Sequence, residues 1–151
     1  MSLLKYLTLD TVTVDLQGTA KREIIESLLD ILMRTGKVKD RSQALAAILD
    51  REHKMSTGME NGIAIPHGKT DAVDELVAAV GITKNPVDFS ALDKQPSRIF
   101  IITLSSNQRT GPHIQFLKEI SELLGSADMR KRLLAAREPR EVLQILASEP
   151  L

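Results

Sequence analysis

The sequence predicts a three-layer α/β/α domain with a mixed central sheet. Strand-length apolar segments alternate with amphipathic helical segments early in the chain, and helical segments cluster late. Two continuous apolar segments, residues 76–83 and 98–104, indicate buried strands, and the second is rich in isoleucine, as central strands of helix-flanked sheets are. Turn signals at residues 71–74 and at Asn85-Pro86 are compatible with hairpins, which favours antiparallel as well as parallel pairs. We expect residues 1–151 to form one domain.

Apolar periodicity and capping residues predict the individual elements in order. Thr19 and Asp40 precede the first two helical stripes as N-caps, and Gly36 stops the first of these helices. Gly111-Pro112 precedes the third helix, and Pro139 suits the first turn of the last one. The predicted strands are residues 12–16, 63–65, 76–83 and 98–104, and the predicted helices are residues 21–35, 40–53, a segment with its stripe at 116–124, 128–136 and 139–147.

The composition excludes several classes of function. The 20 basic and 20 acidic residues cancel, and three phenylalanines with one tyrosine form no base-stacking platform, so we expect no nucleic-acid partner. The lack of cysteine excludes disulfides, thiolate metal sites and cysteine nucleophiles, and fits a reducing compartment. No segment resembles a signal peptide or approaches the ~18 apolar residues that cross a bilayer. We therefore expect a cytoplasmic protein that does not insert into membranes.

His67 is the most informative residue. It follows an apolar strand that Pro66 should end, because proline fixes its own φ and has no N–H to donate. Gly68 follows it and lets backbone or ligand approach closely. His67 is therefore expected at the mouth of the sheet. An imidazole that titrates near neutrality can act there as a nucleophile, a base or a metal ligand.

Two further side chains could serve an anion near His67, and each also has an ordinary structural explanation. His113 lies in the first turn of a helix, where the dipole disfavours its cation and free N–H groups bind anions, but local backbone could equally satisfy it. Arg51 ends the second helix with a guanidinium suited to phosphate oxygens, or with a solvated cation. Additional donors, or an ordinary turn, are offered by Ser56, Thr57 and Gly58.

Other kinds of site lack their motifs. A metal would need a third ligand beside the two histidines, such as Asp71 or Asp74, and neither HxH nor HExxH spacing occurs. The sequence also lacks the G-x-S-x-G elbow of serine hydrolases and both glycine-rich nucleotide motifs. A histidine that itself carries a group remains, and we expect neither a metal nor a cofactor.

The segment from Arg51 to Lys69, with its Ser-Thr-Gly and Ile-Pro-His-Gly motifs, resembles the active-site segment of bacterial phosphotransferase-system enzyme IIA domains of the fructose/mannitol/nitrogen-regulatory class. Gly111-Pro112-His113 and the helix after it resemble the second-histidine helix of that family, so the resemblance covers essentially the whole chain. It implies a phosphotransferase component with a three-layer α/β/α fold. His67 would be transiently phosphorylated on Nε2 by HPr or an HPr-like carrier. His113 would hydrogen-bond the phosphate or orient the reaction, and Arg51 would stabilise charge.

The resemblance favours a nitrogen-regulatory branch. Asn61 stands where sugar-transporting members often carry an acidic residue, and no IIB, IIC or HPr module is fused to the chain. The expected function is a phosphocarrier that acts on regulatory target proteins. The alternative is a sugar-transport IIA that passes phosphate to a fructose- or mannitol-type IIB, and a binding module without phosphotransfer is less expected. Residues expected to bind phosphate or support the loop are Ser56, Thr57, Gly58, Asn61 and Gly68.

Overall fold

The computed structural model describes residues 2–148, so Met1 and residues 149–151 of the predicted domain lie outside the described residues. Two short 3₁₀ helices, Ser2–Tyr6 and Leu9–Thr11, open the chain and had no signal in the sequence. The strands are β1 Val12–Thr13, β2 Ile63–Ala64, β3 His67–Lys69, β4 Val77–Val87 and β5 Ser97–Ser105. The helices are α1 Lys21–Met33, α2 Arg41–Lys54, α3 Thr110–Leu124, α4 Ala127–Ala135 and α5 Pro139–Ala147.

The sheet is mixed, as predicted. Its strand order is β1-β4-β5-β2, and β3 also pairs with β5. Strands β4 and β5 are antiparallel, and the other pairs are parallel. Because side chains alternate along a strand, Val77 and Ala79 pack into a core under α1 and α2, whereas Ala78 and Val80 pack into a second core under α3, α4 and α5. One core on each face confirms the three-layer α/β/α architecture.

The turn predictions were wrong in two places. Asn85 and Pro86 lie within β4, at an exposed stretch where the pairing with β5 breaks between Ile82 and Val87. A proline is tolerated there because no ladder hydrogen bond needs its nitrogen. Residues 88–96 make the hairpin connection instead. The turn at 71–72 joins β3 to β4, which do not pair with each other.

The first predicted strand and the first predicted cap also differ from the structure. The strand covers only Val12–Thr13 of the expected 12–16. The N-cap of α1 is Ala20 and not Thr19, because the Glu23 carboxylate accepts the N–H groups of both residues and the Thr19 hydroxyl proton. The N-cap role of Asp40 is confirmed, since its carboxylate accepts the Gln43 N–H at 3.1 Å.

Sheet pairing continues past Pro66, which corrects the expectation that the sheet ends before His67. Strand β2 ends at Ala64, and β3 begins at His67 in parallel register with β5, where His67 is opposite Thr103. The Pro66 carbonyl accepts the Thr103 N–H at 3.1 Å, so the proline interrupts the strand without releasing it. His67 therefore belongs to a short edge strand. No helix within residues 2–148 is long and apolar enough to cross a membrane.

Candidate active site

His67 and His113 lie in one open cavity of about 640 Å³ between α2, β3 and the start of α3. Their ring centroids are 5.7 Å apart and the ring planes meet at 72°. The two histidines come together because α3 follows β5, the strand with which β3 pairs. The lining comprises Gln43, Ala46, Ala47, Asp50, Arg51, Lys54, His67, Gly68, Lys69, Thr70, Asp71, Asn107, Thr110, His113, Ile114 and Leu117.

A backbone carbonyl selects the tautomer of His67. The ring Nδ1 lies 2.8 Å from the carbonyl oxygen of Ile65. A carbonyl oxygen can only accept, so Nδ1 carries the proton and the neutral ring has its lone pair on Nε2. The half-buried ring is thus held by the carbonyl of a residue two positions earlier in the chain, and Nε2 is its basic and nucleophilic atom.

The surroundings of His67 keep its ring neutral. Burial lowers the pKa of His67, and the positive charge of Arg51 lowers it further. The hydrogen bond to Ile65 and the negative charge of Glu52 act in the opposite direction, and the pKa remains below its ordinary value. At neutral pH the Nε2 lone pair is therefore free in most molecules.

His113 is almost fully buried, with 3% of its surface exposed. Burial first, and then the charges of His67 and Lys69, lower the pKa of His113 to about 4. Its Nε2 has no hydrogen-bond partner within residues 2–148. Such an orphaned nitrogen is costly unless a ligand satisfies it. A neutral His113 with its proton on Nε2 could donate to an anion in the cavity.

The start of α3 is open to an anion. Its N-cap, Arg109, makes no side-chain hydrogen bond to the first turn, where Thr110 and Gly111 have N–H groups and Pro112 has none. Gly111 has no heavy atom near the position of a Cβ, which leaves that backbone accessible. The dipole and the free N–H groups of such a turn favour a phosphate or carboxylate.

Cations also line the cavity. Arg51 lies in the last turn of α2, where its Nη1 donates to the Met55 carbonyl at 2.7 Å and fixes the guanidinium. Lys69 follows His67 on β3, and its Nζ donates to the Thr110 hydroxyl at 3.2 Å, which ties β3 to α3. The lining holds Arg51, Lys54 and Lys69 against the acidic Asp50 and Asp71. Its charge is therefore suited to an anionic group.

Four of the expected support residues lie away from this cavity, since Ser56, Thr57, Gly58 and Asn61 do not line it. The Ser56 hydroxyl donates to the Phe89 carbonyl, and both donors of Thr57 are taken by Glu52. Asn61 has a φ of 68° in a left-handed turn, and its N–H donates to Asp93.

Gly68 does line the cavity and lies against α2. A Cβ at this position would meet the Ala47 carbonyl carbon and oxygen at 3.2 Å. Only glycine lets β3 approach the helix this closely without a backbone shift. The role of Gly68 is therefore to seat the His67 strand on the helix that carries Arg51.

Sequence reasoning missed Glu52. The residue lies one position after Arg51 and is 8% exposed, with Lys21 as its ion-pair partner at 2.7 Å. A glutamate near a helix end is ordinarily solvated, so composition and periodicity gave no sign of its burial. Only the folded structure shows its enclosure, since Lys21 and Thr57 lie against its carboxylate. Within residues 2–148 no three His, Cys, Asp or Glu side chains are grouped as a metal ion would require.

Comparisons with known proteins point to one family. The sequence profile described as "Phosphoenolpyruvate-dependent sugar phosphotransferase system, EIIA 2" matches residues 5–149. The fructose-specific EIIA component of Haloferax volcanii is 35% identical over 92% of this chain and 90% of that protein. The nitrogen regulatory protein of Pseudomonas aeruginosa is 32% identical over 88% of this chain and 86% of that protein.

A longer relative contains the same region as one part. The fructose-specific EIIABC component of Bacillus subtilis is 33% identical over 97% of this chain, which spans only 23% of that protein. Solved structures share the fold. The nitrogen regulatory protein IIA-Ntr of Neisseria meningitidis has a TM-score of 0.90 at 27% identity, covering 97% of this chain and 99% of that one. The Escherichia coli mannitol IIA, solved with phosphorylated IIB, has a TM-score of 0.81 at 24% identity, covering 95% and 98%.

Proposed function

Because the chain belongs to the EIIA 2 family of the phosphoenolpyruvate-dependent sugar phosphotransferase system, we propose that His67 Nε2 is the atom on which it carries a phosphoryl group. Membership makes the chain a phosphotransfer component, and the proposal assigns the chemistry to one nitrogen. The observation that supports the assignment is the hydrogen bond from Nδ1 to the Ile65 carbonyl, which leaves the Nε2 lone pair free in the cavity.

The proposed step exchanges one P–N bond for another. The lone pair of His67 Nε2 attacks the phosphorus of a phosphohistidine on the donor protein. The bond from phosphorus to the donor ring breaks, and its electron pair returns to the donor nitrogen. The proton of His67 stays on Nδ1, hydrogen-bonded to the Ile65 carbonyl, throughout, so no proton has to leave the accepting ring. Delivery to the next protein is the same exchange in the opposite direction.

His113 and Arg51 would stabilise the transferred group. His113 lines the same cavity, and its buried Nε2, which has no hydrogen-bond partner within residues 2–148, would donate to a phosphoryl oxygen there. Arg51 adds a fixed positive charge, and its fork suits oxygens of a transferring phosphoryl group. Phosphoryl transfer depends on positioning and charge stabilisation more than on covalent chemistry, and preorganised donors supply both.

The proposed donor is HPr or an HPr-like carrier. Ile114 is 62% exposed and lines the cavity together with Leu117 and Ala46, so part of the cavity rim is apolar. Partner proteins that must bring a ring nitrogen to His67 can dock on such a rim. The proposal also places the protein in the cytoplasm, which a sequence without cysteine fits.

We propose that the downstream partners are regulatory target proteins of a nitrogen branch, whose binding depends on whether His67 is phosphorylated. The overall likeness to IIA-Ntr supports this choice. The fructose-specific EIIA relative supports the second candidate, a transport component that hands phosphate to a IIB protein. Capture experiments with the phosphorylated and the unphosphorylated protein distinguish these candidates, because a regulatory target should bind only one of the two forms. Capture of a IIB protein alone would contradict the regulatory choice.

The direct test incubates the protein with phosphoenolpyruvate, enzyme I and HPr. We expect one acid-labile phosphoryl group, no label on His67→Ala, and slower but measurable labelling of His113→Ala. A parallel reaction with phosphoramidate, a small P–N donor, separates the chemistry of the ring from recognition of the protein donor. Full labelling of His67→Ala would contradict the proposal, and an unchanged rate for His113→Ala would contradict the role of that residue.

A further inference from the structure

Glu52 is a buried carboxylate beside the site that does not line the cavity. Its Oε2 accepts the Thr57 N–H at 2.8 Å and the Lys21 ammonium at 2.7 Å. Its Oε1 accepts the Thr57 hydroxyl proton at 2.5 Å. Burial raises the pKa of Glu52, but the bonds from Lys21 and Thr57 outweigh burial and hold the pKa below its ordinary value. The carboxylate is therefore ionised at neutral pH and accepts on both oxygens.

Backbone hydrogen bonds continue from this carboxylate to the His67 ring. The carbonyl of Thr57 accepts the Ile65 N–H at 3.0 Å. The carbonyl of the same Ile65 accepts the proton of His67 Nδ1 at 2.8 Å. Glu52 thus fixes Thr57, and Thr57 holds Ile65, whose carbonyl holds the His67 ring. A shift of Thr57 would move the carbonyl that selects the tautomer of His67.

Other contacts hold the same segment, residues 56–58, from its outer side. The Ser56 hydroxyl donates to the Phe89 carbonyl at 2.8 Å, and the Gly58 N–H donates back to that hydroxyl. The Lys21 ammonium lies 4.9 Å from the centroid of the Phe89 ring, which keeps it over the segment while it pairs with Glu52. Glu52 and Phe89 therefore hold the segment from two sides.

We propose that Glu52 is a positioning residue for phosphoryl transfer, which acts through Thr57 and Ile65 to hold the His67 ring with Nε2 free. The expected effect on phosphoryl transfer rests on the proposed function of His67. The orientation of the ring does not, and it can be measured without any transfer. Glu52 does not line the cavity in which the phosphoryl group is proposed to lie. Its substitution acts on the population of the reactive tautomer.

Glu52→Leu is the primary variant, because leucine fills a similar volume and offers no acceptor. Lys21, whose side chain is 27% exposed, can then turn to water. Thr57→Val and Thr57→Ser form a milder pair, since valine removes only the hydroxyl and serine restores it. Leu133→Ala serves as the control for general destabilisation. Leu133 is 1% exposed in the core under α3, α4 and α5, on the opposite face of the sheet from α2.

The readouts are the His67 tautomer, from long-range proton–nitrogen correlations of histidine-labelled protein, and the rate of phosphorylation by phosphoramidate and by phospho-HPr. We expect Glu52→Leu to populate the Nε2–H tautomer and to slow both reactions by roughly ten- to hundredfold, as misplacement of reacting groups by about 1 Å does. Thr57→Val should change the tautomer population and both rates in the same direction but by less, and Thr57→Ser should restore the wild-type tautomer. If Glu52→Leu does not fold, the comparison of Thr57→Val with Thr57→Ser tests the positioning role instead.

Two results would overturn the proposal. One is a folded Glu52→Leu protein, or Thr57→Val protein, with the Nδ1–H tautomer and rates of the wild type. The other is an equal change in Leu133→Ala, which would make the effect one of stability alone. A wild type that no donor phosphorylates would contradict the proposed function instead, and the tautomer series would still decide the role of Glu52.

Discussion

At the scale of single residues, the chemistry depends on which atoms of two imidazoles are free. His67 donates from Nδ1 to the carbonyl of Ile65, which lies between β2 and β3, so its Nε2 is basic. His113 is buried, and its Nε2 is unpartnered within residues 2–148. Neither ring is charged at neutral pH, because burial lowers the pKa of both. One neutral ring can attack, and the other can donate to the group that arrives.

Arg51 should contribute to the pKa of His67 as well as to transfer. Its positive charge lowers the pKa of His67, so Arg51→Gln should raise that pKa and slow phosphorylation. Arg51→Lys keeps the charge and loses the planar fork, so it should keep the pKa closer to that of the wild type with an intermediate rate. Nuclear magnetic resonance titration of the His67 ring measures the pKa. An unchanged or lower pKa in Arg51→Gln would contradict the electrostatic assignment.

The buried His113 should make stability depend on pH. Its pKa is about 4 when folded and ordinary, near 6.5, when unfolded, so the unfolded chain binds the proton first as pH falls. The free energy of unfolding should therefore fall by about 2–3 kcal/mol between pH 7 and pH 4 on account of this residue. Urea denaturation measures the loss.

His113→Gln is the comparison for that pH dependence, since glutamine does not titrate in this range. The variant should lose less stability than the wild type between pH 7 and pH 4. Equal losses in the two proteins would show that His113 is not the group responsible.

At the scale of elements, the site depends on how closely β3 lies against α2. Gly68→Ala should lower the free energy of unfolding by about 1–3 kcal/mol, because the new methyl group would meet backbone atoms of Ala47 at 3.2 Å. Gly111→Ala is the matched control, since its methyl group meets nothing within 4 Å and lies in a helix. It should be neutral or stabilising by up to about 1 kcal/mol. Equal effects of the two alanines would contradict the close approach.

The sequence predicted elements correctly where the hydrophobic period and the capping residues agree. It failed where pairing with a distant strand determines the structure. Asp40 and Pro139 marked helix starts because their preferences are local. The strand that contains His67 was missed, since only pairing with Thr103 makes three residues after a proline into a strand. The proximity of His67 and His113 follows from that topology. The burial of Glu52 had no local signal, because nothing in its neighbours shows that Lys21 and Thr57 enclose it.

At the scale of the whole molecule, the proposed function requires partners to reach His67 through the cavity. Ile114→Asp should slow transfer from phospho-HPr by roughly tenfold, which corresponds to about 1.4 kcal/mol, while leaving phosphorylation by phosphoramidate unchanged. Ile114 is 62% exposed at the cavity rim. Leu92→Asp provides the control, since Leu92 is 65% exposed and lines a different groove beside Met59. Slower transfer from phospho-HPr in both variants, or in neither, would contradict docking of the donor at this rim.

The central claim is that Nε2 of His67 carries the phosphoryl group, and coupling between phosphorus and nitrogen tests it most directly. Protein labelled with ¹⁵N-histidine is phosphorylated by phosphoenolpyruvate, enzyme I and HPr, and the ³¹P–¹⁵N coupling is assigned to a ring atom. We predict one phosphorus resonance coupled to Nε2 of His67, with the Nδ1 proton still present, and no such resonance in His67→Ala. Coupling to Nδ1, or a resonance that persists in His67→Ala, would contradict the account.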